Sequence, residues 1–203
     1  MTYVQQLQAA LGLRTDGAFG PETYAATMRA MGKSVPEPKA ALAPEPKSVP
    51  VGAMLYQGKA RYPVEEIVVH CVATPPDFMA GVSTAERVAE VRRWHMRDRG
   101  WRDIGYHWLI DRDGTVTPGR AETEIGAGVE GHNAGVIHIS LFGGFGSAET
   151  DPFERNFTAT QDAALRRIIR EVCDRTRIAK VTGHNQYAAK ACPGFSVPDW
   201  LKA

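Results

Sequence analysis

The pattern of hydrophobic positions predicts short strands that alternate with amphipathic helices over most of the chain. Apolar β-branched or alternating runs that are too short for a helix indicate strands at 67–69, 105–110, 115–117, 135–142 and 178–181. Apolar residues at helical spacing indicate a helix after residue 83 and a longer one after residue 158. Interleaved strands and helices predict an α/β or α+β domain whose mixed central sheet is flanked by helices.

Two capping boxes mark where these helices begin. Ser83 with Glu86, and Thr158 with Gln161, have the spacing at which a hydroxyl and a carboxyl or amide cap each other's backbone N–H groups. The first helix is expected to bury its apolar face and end by Gly100. The second helix places four apolar residues on one face, and we expect Cys173 to continue that buried stripe. These four are Leu165, Ile168, Ile169 and Val172.

A smaller unit and a linker precede this domain. Val4, Leu7 and Leu11 share one face of a first helix, and Pro21 suits the first position of a second helix that ends near residue 31. Prolines at 36, 38, 44, 46 and 50 then indicate an extended, semi-rigid spacer. We therefore predict a two-helix unit over 1–32, a Pro-rich linker over 33–52 and the main domain over 53–203.

The composition and net charge of the chain argue against some classes of function. The chain has 203 residues, of which 43% are hydrophobic and 23% charged, as in an ordinary globular protein. A formal net charge of +1 argues against a nucleic-acid binder that works by neutralising phosphates. No apolar run approaches the ~20 residues of a membrane span. The first residues have neither a basic start nor an apolar core, so we expect no secretory signal and a protein that stays where it is made unless something else releases it.

Three cysteines, Cys71, Cys173 and Cys192, are an odd number at unrelated spacings and do not indicate a disulfide framework. Cys71 follows His70 in a predicted strand, so the two side chains point to opposite faces. We therefore do not expect a catalytic pair between them.

The residues that carry chemistry concentrate near the C-terminus. His184, Lys190 and Cys192 bring an imidazole, an ammonium and a thiol into one short segment, and Pro193 fixes a turn after the thiol. Imidazole and thiolate are ligands that Zn²⁺ prefers, but a catalytic zinc needs a third protein ligand. His70, at the end of a predicted strand, is the candidate. Taken singly, each residue also has an ordinary structural explanation.

A series of short motifs along the main domain resembles one known family. The motifs are Val69-His70-Cys71, Arg93-Trp94-His95, Gly105-Tyr106-His107, Arg112-Asp113-Gly114-Thr115, Leu141-Phe142-Gly143-Gly144, Asn156-Phe157-Thr158 and Lys190-Ala191-Cys192-Pro193. In this order they are similar to the zinc-dependent N-acetylmuramoyl-L-alanine amidases, in particular the phage lysozyme-type endolysins. Peptidoglycan recognition proteins share that fold. The resemblance covers about residues 64–200.

This resemblance implies site residues. The implied zinc ligands are His70, His184 and Cys192, and the implied catalytic side chains are Tyr106 and Lys190. A bound zinc would lower the pKa of water and polarise the amide carbonyl, while Lys190 and Tyr106 would stabilise charge or transfer protons. Which of the two acts as acid and which as base stays open.

Other histidines are given structural roles. We expect His95 and His107 to be structural, and His132 and His138 to lie on the surface or in packing. The chain departs from the family at Gly128, where many members carry a histidine in a Gly-x-His segment lining the cleft. His132, four residues further on, is a candidate to compensate.

The function implied is a zinc-dependent peptidoglycan hydrolase, an endolysin that cuts between N-acetylmuramic acid and L-alanine and acts on the cell wall after release. Residues 4–31 also resemble the helical peptidoglycan-binding domain of cell-wall hydrolases, although a further helical segment of that family is absent. We expect synthesis in the host cytoplasm and action on the cell wall in the periplasm, with peptidoglycan as the partner, no nucleic-acid partner, no membrane insertion, and a monomer. Three alternatives remain: a recognition protein without catalysis, an intracellular wall-recycling amidase, and a metal-independent cysteine hydrolase.

Overall fold

A computed structural model describes residues 3–12, 30 and 54–203 of the chain. The chain forms two compact units. The smaller unit contains helix α1 (Tyr3–Ala10), which confirms the first predicted helix. Apart from residue 30, the predicted second helix and the Pro-rich linker lie outside the described residues, so the proposed boundaries at 32 and 52 stay predictions.

The larger unit is organised around one mixed sheet, as predicted. The strands are β1 (Tyr56–Gln57), β2 (Tyr62–Pro63), β3 (Glu66–Cys71), β4 (Trp108–Ile110), β5 (Val116–Pro118), β6 (Val136–Leu141) and β7 (Lys180–Gly183). Strands β1 and β2 form a separate antiparallel pair. The strands of the mixed sheet stand in the order β5-β4-β6-β3-β7, with β4, β6, β3 and β7 parallel and β5 antiparallel to β4.

Helices connect the strands. Helix α2 continues directly into one π-helical turn, and a 3₁₀ turn follows β7. The elements are α2 (Thr84–Arg93), the π turn (Trp94–Asp98), α3 (Phe153–Asn156), α4 (Ala159–Cys173), the 3₁₀ turn (His184–Gln186) and α5 (Val197–Trp200). Among the described residues, none of these helices combines the length and apolar character that a membrane crossing would need.

The two faces of the sheet differ in polarity. Alternate residues of β3 and β6, among them Val69, Cys71 and Ile139, join the largest apolar core together with the buried face of α4. The residues between them point to the opposite face and include His70, His138 and Ser140, all fully buried. The strand period of two therefore separates an apolar core from a buried polar layer, and the candidate site lies in that layer.

The prediction for Cys173 was wrong. Helix α4 buries Leu165, Ile168, Ile169 and Val172 as expected, but Cys173 is exposed. It is the last residue of the helix and lies about 100° around the axis from Val172, which takes it off the buried stripe.

Both predicted capping boxes are present. The one on α4 also ties the helix to the sheet. The Gln161 side-chain oxygen accepts from the Thr158 N–H, while its Nε2 donates to the carbonyls of Phe142 (2.8 Å) and Ile110 (3.3 Å). Gln161 is completely buried, and it holds the ends of β4 and β6 in place.

We expect Gln161→Leu to lower the free energy of unfolding by about 1–3 kcal/mol, because it leaves the buried Phe142 carbonyl without its side-chain donor and the Thr158 N–H without its side-chain acceptor. Urea denaturation monitored by circular dichroism measures this. Glu171→Ala, on the same helix in an exposed pair with Arg167, is the control and should change stability by less than about 0.5 kcal/mol. Equal effects of the two substitutions would contradict the role given to Gln161.

Candidate metal centre

Strand register brings two of the predicted ligands together. Strand β7 runs parallel to β3 with Gly183 opposite Val69, so the next residues along the two strands, His184 and His70, lie side by side. Their Nδ1 atoms are 3.2 Å apart, and the two rings meet edge to face. His70 is completely buried, whereas His184, in the 3₁₀ turn, is partly exposed.

A loop that returns to the end of β3 supplies the third predicted ligand. The Cys192 Sγ lies 3.9 Å from the His70 Nδ1 and accepts the backbone N–H of Cys71 at 3.3 Å. The loop is anchored directly after the ligand by Phe195, which is buried among the rings of Phe153 and Trp200. Packing in the apolar core therefore fixes where the thiol points.

The donor separations measured from the His70 Nδ1 are close to those around a tetrahedral zinc ion. With bonds of about 2.0–2.1 Å to nitrogen and about 2.3 Å to sulfur, ligand atoms stand roughly 3.3 Å (N to N) and roughly 3.6 Å (N to S) apart. The observed separations are 3.2 Å and 3.9 Å, and the donor atoms of His70, His184 and Cys192 all lie within 4.8 Å of one another. Two imidazoles and one thiol could thus hold a metal and leave a fourth position for water or substrate.

Tyr106 lies against this cluster. Its ring centroid is 5.2 Å from that of His70 and 5.3 Å from that of His95. Burial raises the pKa of the Tyr106 phenol well above its ordinary value, and the neighbouring thiols of Cys192 and Cys71 raise it further. The phenol is therefore protonated at neutral pH and can donate a hydrogen bond.

A cavity of about 360 Å³ opens beside Tyr106. Its volume lies within the range of small-molecule sites. The π turn that follows α2 forms one wall and contributes both charged and aromatic side chains. The lining includes Val91, Trp94, His95, Asp98, Arg99 and Tyr106.

Lys190 is exposed and lies near the three donors. Burial lowers the pKa of His184, and the positive charge of Lys190 lowers it further. Lys190 has the same effect on the pKa of His70, after burial and the neighbouring His184 and His107. The positive charge of Lys190 therefore favours the neutral form of both imidazoles, which is the form that binds metals.

Three histidines form a buried layer that the sequence did not indicate. The His70 Nε2 lies 3.0 Å from the His138 Nδ1, and the His138 ring stacks on His107 with centroids 5.7 Å apart. The His138 backbone N–H donates to the His107 Nδ1 (2.9 Å), and the His107 Nε2 lies 2.9 Å from the Glu124 carbonyl. His107 is structural, as predicted, whereas His138 contacts a predicted ligand directly.

The Gly126–Gly128 segment covers this layer. A Cβ atom on Gly128 would stand 2.5 Å from the His138 Nδ1 and 2.8 Å from the His70 Nε2, and one on Gly126 would stand 2.4 Å from the His138 Cδ2. Only glycine fits at such separations. The imidazole that lies beside Gly128 is that of His138 on β6.

His132 does not take the place of the family's histidine at 128. Its Nε2 lies 2.8 Å from the Glu66 Oε2, at the start of β3, and its ring stacks on Tyr187. Glu66 also accepts hydrogen bonds from the Tyr187 hydroxyl and from Thr182. Burial by itself raises the pKa of Glu66, but these hydrogen bonds, with those of His132 and Lys180, hold it below the ordinary value.

Two polar side chains hold the covering segment over the histidines. The Asn133 Oδ1 accepts the N–H groups of Gly128 and Val129, both at 2.9 Å. Buried Arg120 donates to the carbonyls of Ile125 (2.6 Å) and Ile104 (2.8 Å). Both residues are polar side chains in or beside loops, and the hydrophobic pattern does not distinguish such residues from solvated ones.

The Cys192 thiol does not favour a cysteine nucleophile, and the Cys71 thiol, whose pKa its hydrogen bond with Cys192 lowers, is buried. Cys71 belongs to the apolar core, as predicted from strand alternation. A hydrogen bond with the Cys71 thiol, together with burial, raises the pKa of the Cys192 thiol well above its ordinary value. A nucleophilic cysteine needs the opposite shift, whereas a bound cation would stabilise the thiolate.

Comparisons with known proteins identify the same family that the sequence motifs resemble. The family model described as N-acetylmuramoyl-L-alanine amidase matches residues 60–195. The chain is 38% identical over 144 residues to the endolysin of Escherichia phage T7, covering 71% of this chain and 89% of that protein. It is 39% identical over 140 residues to the endolysin of Klebsiella phage KP32, covering 69% and 87%.

Solved structures have the same fold. The endolysin N-acetylmuramoyl-L-alanine amidase LysCS from Clostridium intestinale aligns with a TM-score of 0.53 at 25% identity, over 68% of this chain and 81% of that one. The bumblebee peptidoglycan recognition protein SA aligns with a TM-score of 0.57 at 23% identity, over 74% and 85%. The second likeness concerns the fold alone.

The buried imidazoles predict that stability falls in acid. Burial lowers the pKa of both His95 and His107 to about 4. The unfolded chain takes up these protons near pH 6.5, whereas the folded protein takes them up only near pH 4. Each histidine should therefore lower the free energy of unfolding by about 1.4 kcal/mol per pH unit as the pH falls from 6.5 to 4. The stabilising contribution of each neutral histidine is complete above pH 6.5. Urea denaturation at pH 7, 6 and 5 in the presence of a chelator measures the slope.

His107→Asn keeps an oxygen acceptor for the His138 N–H but removes the titrating ring. We expect this variant to have a shallower dependence of the free energy of unfolding on pH than the unaltered protein. Equal slopes for the two proteins would contradict the assignment.

Proposed function

The chain belongs to the N-acetylmuramoyl-L-alanine amidase family, and we propose that it cleaves peptidoglycan at the amide bond between N-acetylmuramic acid and L-alanine, using a zinc ion held by His70, His184 and Cys192. The observation that carries this proposal is the convergence of two Nδ1 atoms and one thiol at separations suited to a tetrahedral zinc. His70 and His184 offer neutral imidazoles, because burial lowers the pKa of both.

The reaction adds water across an amide. The water oxygen bonds to the carbonyl carbon of the lactyl group, the carbon–nitrogen bond breaks, and a proton passes to the nitrogen that becomes the amino terminus of L-alanine. When bound, zinc would lower the pKa of water and polarise the carbonyl. The protein must supply the remaining charge stabilisation and the proton transfers.

Tyr106 is suited to donate a hydrogen bond rather than to act as a base. Its pKa is raised by burial and by the neighbouring thiols, so its hydroxyl keeps its proton at the pH of the reaction. Since its ring lies beside His70, the phenol can donate to the oxygen on which negative charge develops. The cavity next to Tyr106 provides room for the substrate group that follows the amide.

Lys190 provides a positive charge at the open side of the site. It is exposed, so it can approach a bound substrate from solvent, and it is held two residues before Cys192 on the anchored loop. A cation there stabilises a developing oxyanion and can give a proton to the leaving nitrogen. We therefore assign Lys190 as the acid and Tyr106 as the hydrogen-bond donor.

The proposed setting follows from the relatives. Two of them are phage endolysins, which favours a lytic enzyme that acts on the bacterial cell wall after release. We propose peptidoglycan as the substrate and partner, a monomeric enzyme, and a wall-binding role for the helical unit at 1–32. A recognition protein without catalysis is the second candidate, favoured by the fold shared with peptidoglycan recognition proteins.

Zinc analysis of the purified protein tests the metal assignment. We expect one zinc per chain and release of new L-alanine amino termini from peptidoglycan, lost on chelation and restored by Zn²⁺. His70→Ala, His184→Ala and Cys192→Ala should each lose metal and activity together, since each removes a ligand. Cys173→Ser, which replaces an exposed thiol outside the site, should keep both.

Two outcomes would overturn this assignment. Cleavage by metal-free protein, blocked by alkylation, would favour a cysteine hydrolase. Bound zinc without cleavage of any peptidoglycan would leave a recognition protein.

Lys190→Ala and Tyr106→Phe should bind zinc normally but lower kcat/KM by about 10²–10³, because each removes a group that stabilises developing charge. Zinc content and amino-terminus release, measured on the same preparations, separate the two effects. Lys202→Ala, which removes an exposed lysine paired with Asp199, is the matched control. Normal activity of Lys190→Ala would remove that residue from the mechanism.

A further inference from the structure

His138 contacts His70 on the side opposite the predicted metal. The His70 Nδ1 faces His184 at 3.2 Å, and the His70 Nε2 faces the His138 Nδ1 at 3.0 Å. A neutral imidazole carries one N–H and one acceptor nitrogen. Whatever fixes the proton on Nε2 therefore leaves Nδ1 free as a metal ligand.

We propose that His138 is a positioning residue for the metal centre: its Nδ1 accepts a hydrogen bond from the His70 Nε2–H and so fixes both the tautomer and the ring orientation of His70. The inference rests on the zinc site proposed above. A partner of this kind for a ligating histidine typically changes metal affinity 10–100-fold.

Packing does not explain the imidazole of His138. With Nδ1 as the acceptor, the proton lies on Nε2, and that atom is buried without a hydrogen-bond partner among the described residues. A buried unsatisfied donor costs about 1–3 kcal/mol, whereas an apolar side chain of similar shape avoids this cost. The side chain is thus unfavourable for stability, and among the described residues its polar contact is to a proposed ligand.

The surroundings hold this contact in place. His107 stacks on one face of the His138 ring and accepts its backbone N–H. The backbone of Gly128 comes so close to both rings that an added Cβ would stand 2.5 Å from the His138 Nδ1 and 2.8 Å from the His70 Nε2. The two rings therefore have little freedom to separate, and a side chain at 128 would push them apart.

The experiment measures zinc affinity of the full chain by competition with a chromophoric chelator, and the absorption spectrum of the cobalt-substituted protein. His138→Leu should raise the zinc Kd 10–100-fold and change the cobalt spectrum, while the chelated protein melts at an equal or higher temperature. His138→Asn places an oxygen acceptor near the former Nδ1 and should restore most of the affinity. Gly128→Ala should weaken zinc binding in the same direction as His138→Leu.

Cys173→Ser is the control, because it removes an exposed thiol that lies outside the site. Its zinc affinity should equal that of the unaltered protein. Wild-type affinity and an unchanged cobalt spectrum in His138→Leu would overturn this inference alone. Failure of the unaltered protein to bind zinc or cobalt would overturn the proposed function and this inference together.

Discussion

The pairing of β3 with β7 is the constraint on which the site depends. Both strands run in the same direction with Val69 opposite Gly183, so two histidines separated by more than a hundred residues of sequence become neighbours. A shift of the register by one residue would move one side chain to the other face of the sheet. The apolar face of the same strands, packed on α4, prevents such a shift because it would expose the core.

Much of the fold could be predicted from local signals. The capping boxes at Ser83 and Thr158, the alternation in β6 and the apolar stripe of α4 each follow from residues close in sequence. The three donors were predicted because imidazole and thiol are unusual together and the motifs around them resemble a family. Cys173 was wrongly predicted to be buried, because the apolar pattern in the sequence does not show where the helix ends.

The histidine layer could not be predicted in the same way. Whether His138 meets His70 depends on the parallel register of β3 and β6, in which Val68 stands opposite His138, and one sequence does not determine the register of distant strands. The absence of a histidine at position 128 was visible in the sequence, but the imidazole that lies beside Gly128 belongs to His138 on β6. Long-range pairing, rather than local propensity, decided which polar residues are structural and which reach the site.

The hydrogen bonds around Glu66 affect how the proposed zinc site would bind its ion. They tie Tyr187, three residues beyond His184, to the start of β3, while Phe195 anchors the other end of the same loop in the core. The conformational entropy of the loop is therefore lost when the chain folds, not when an ion arrives. Unlike a zinc finger, whose metal binding is its folding, the proposed zinc site would be formed before the ion binds, so the ion could be removed and restored without unfolding the chain.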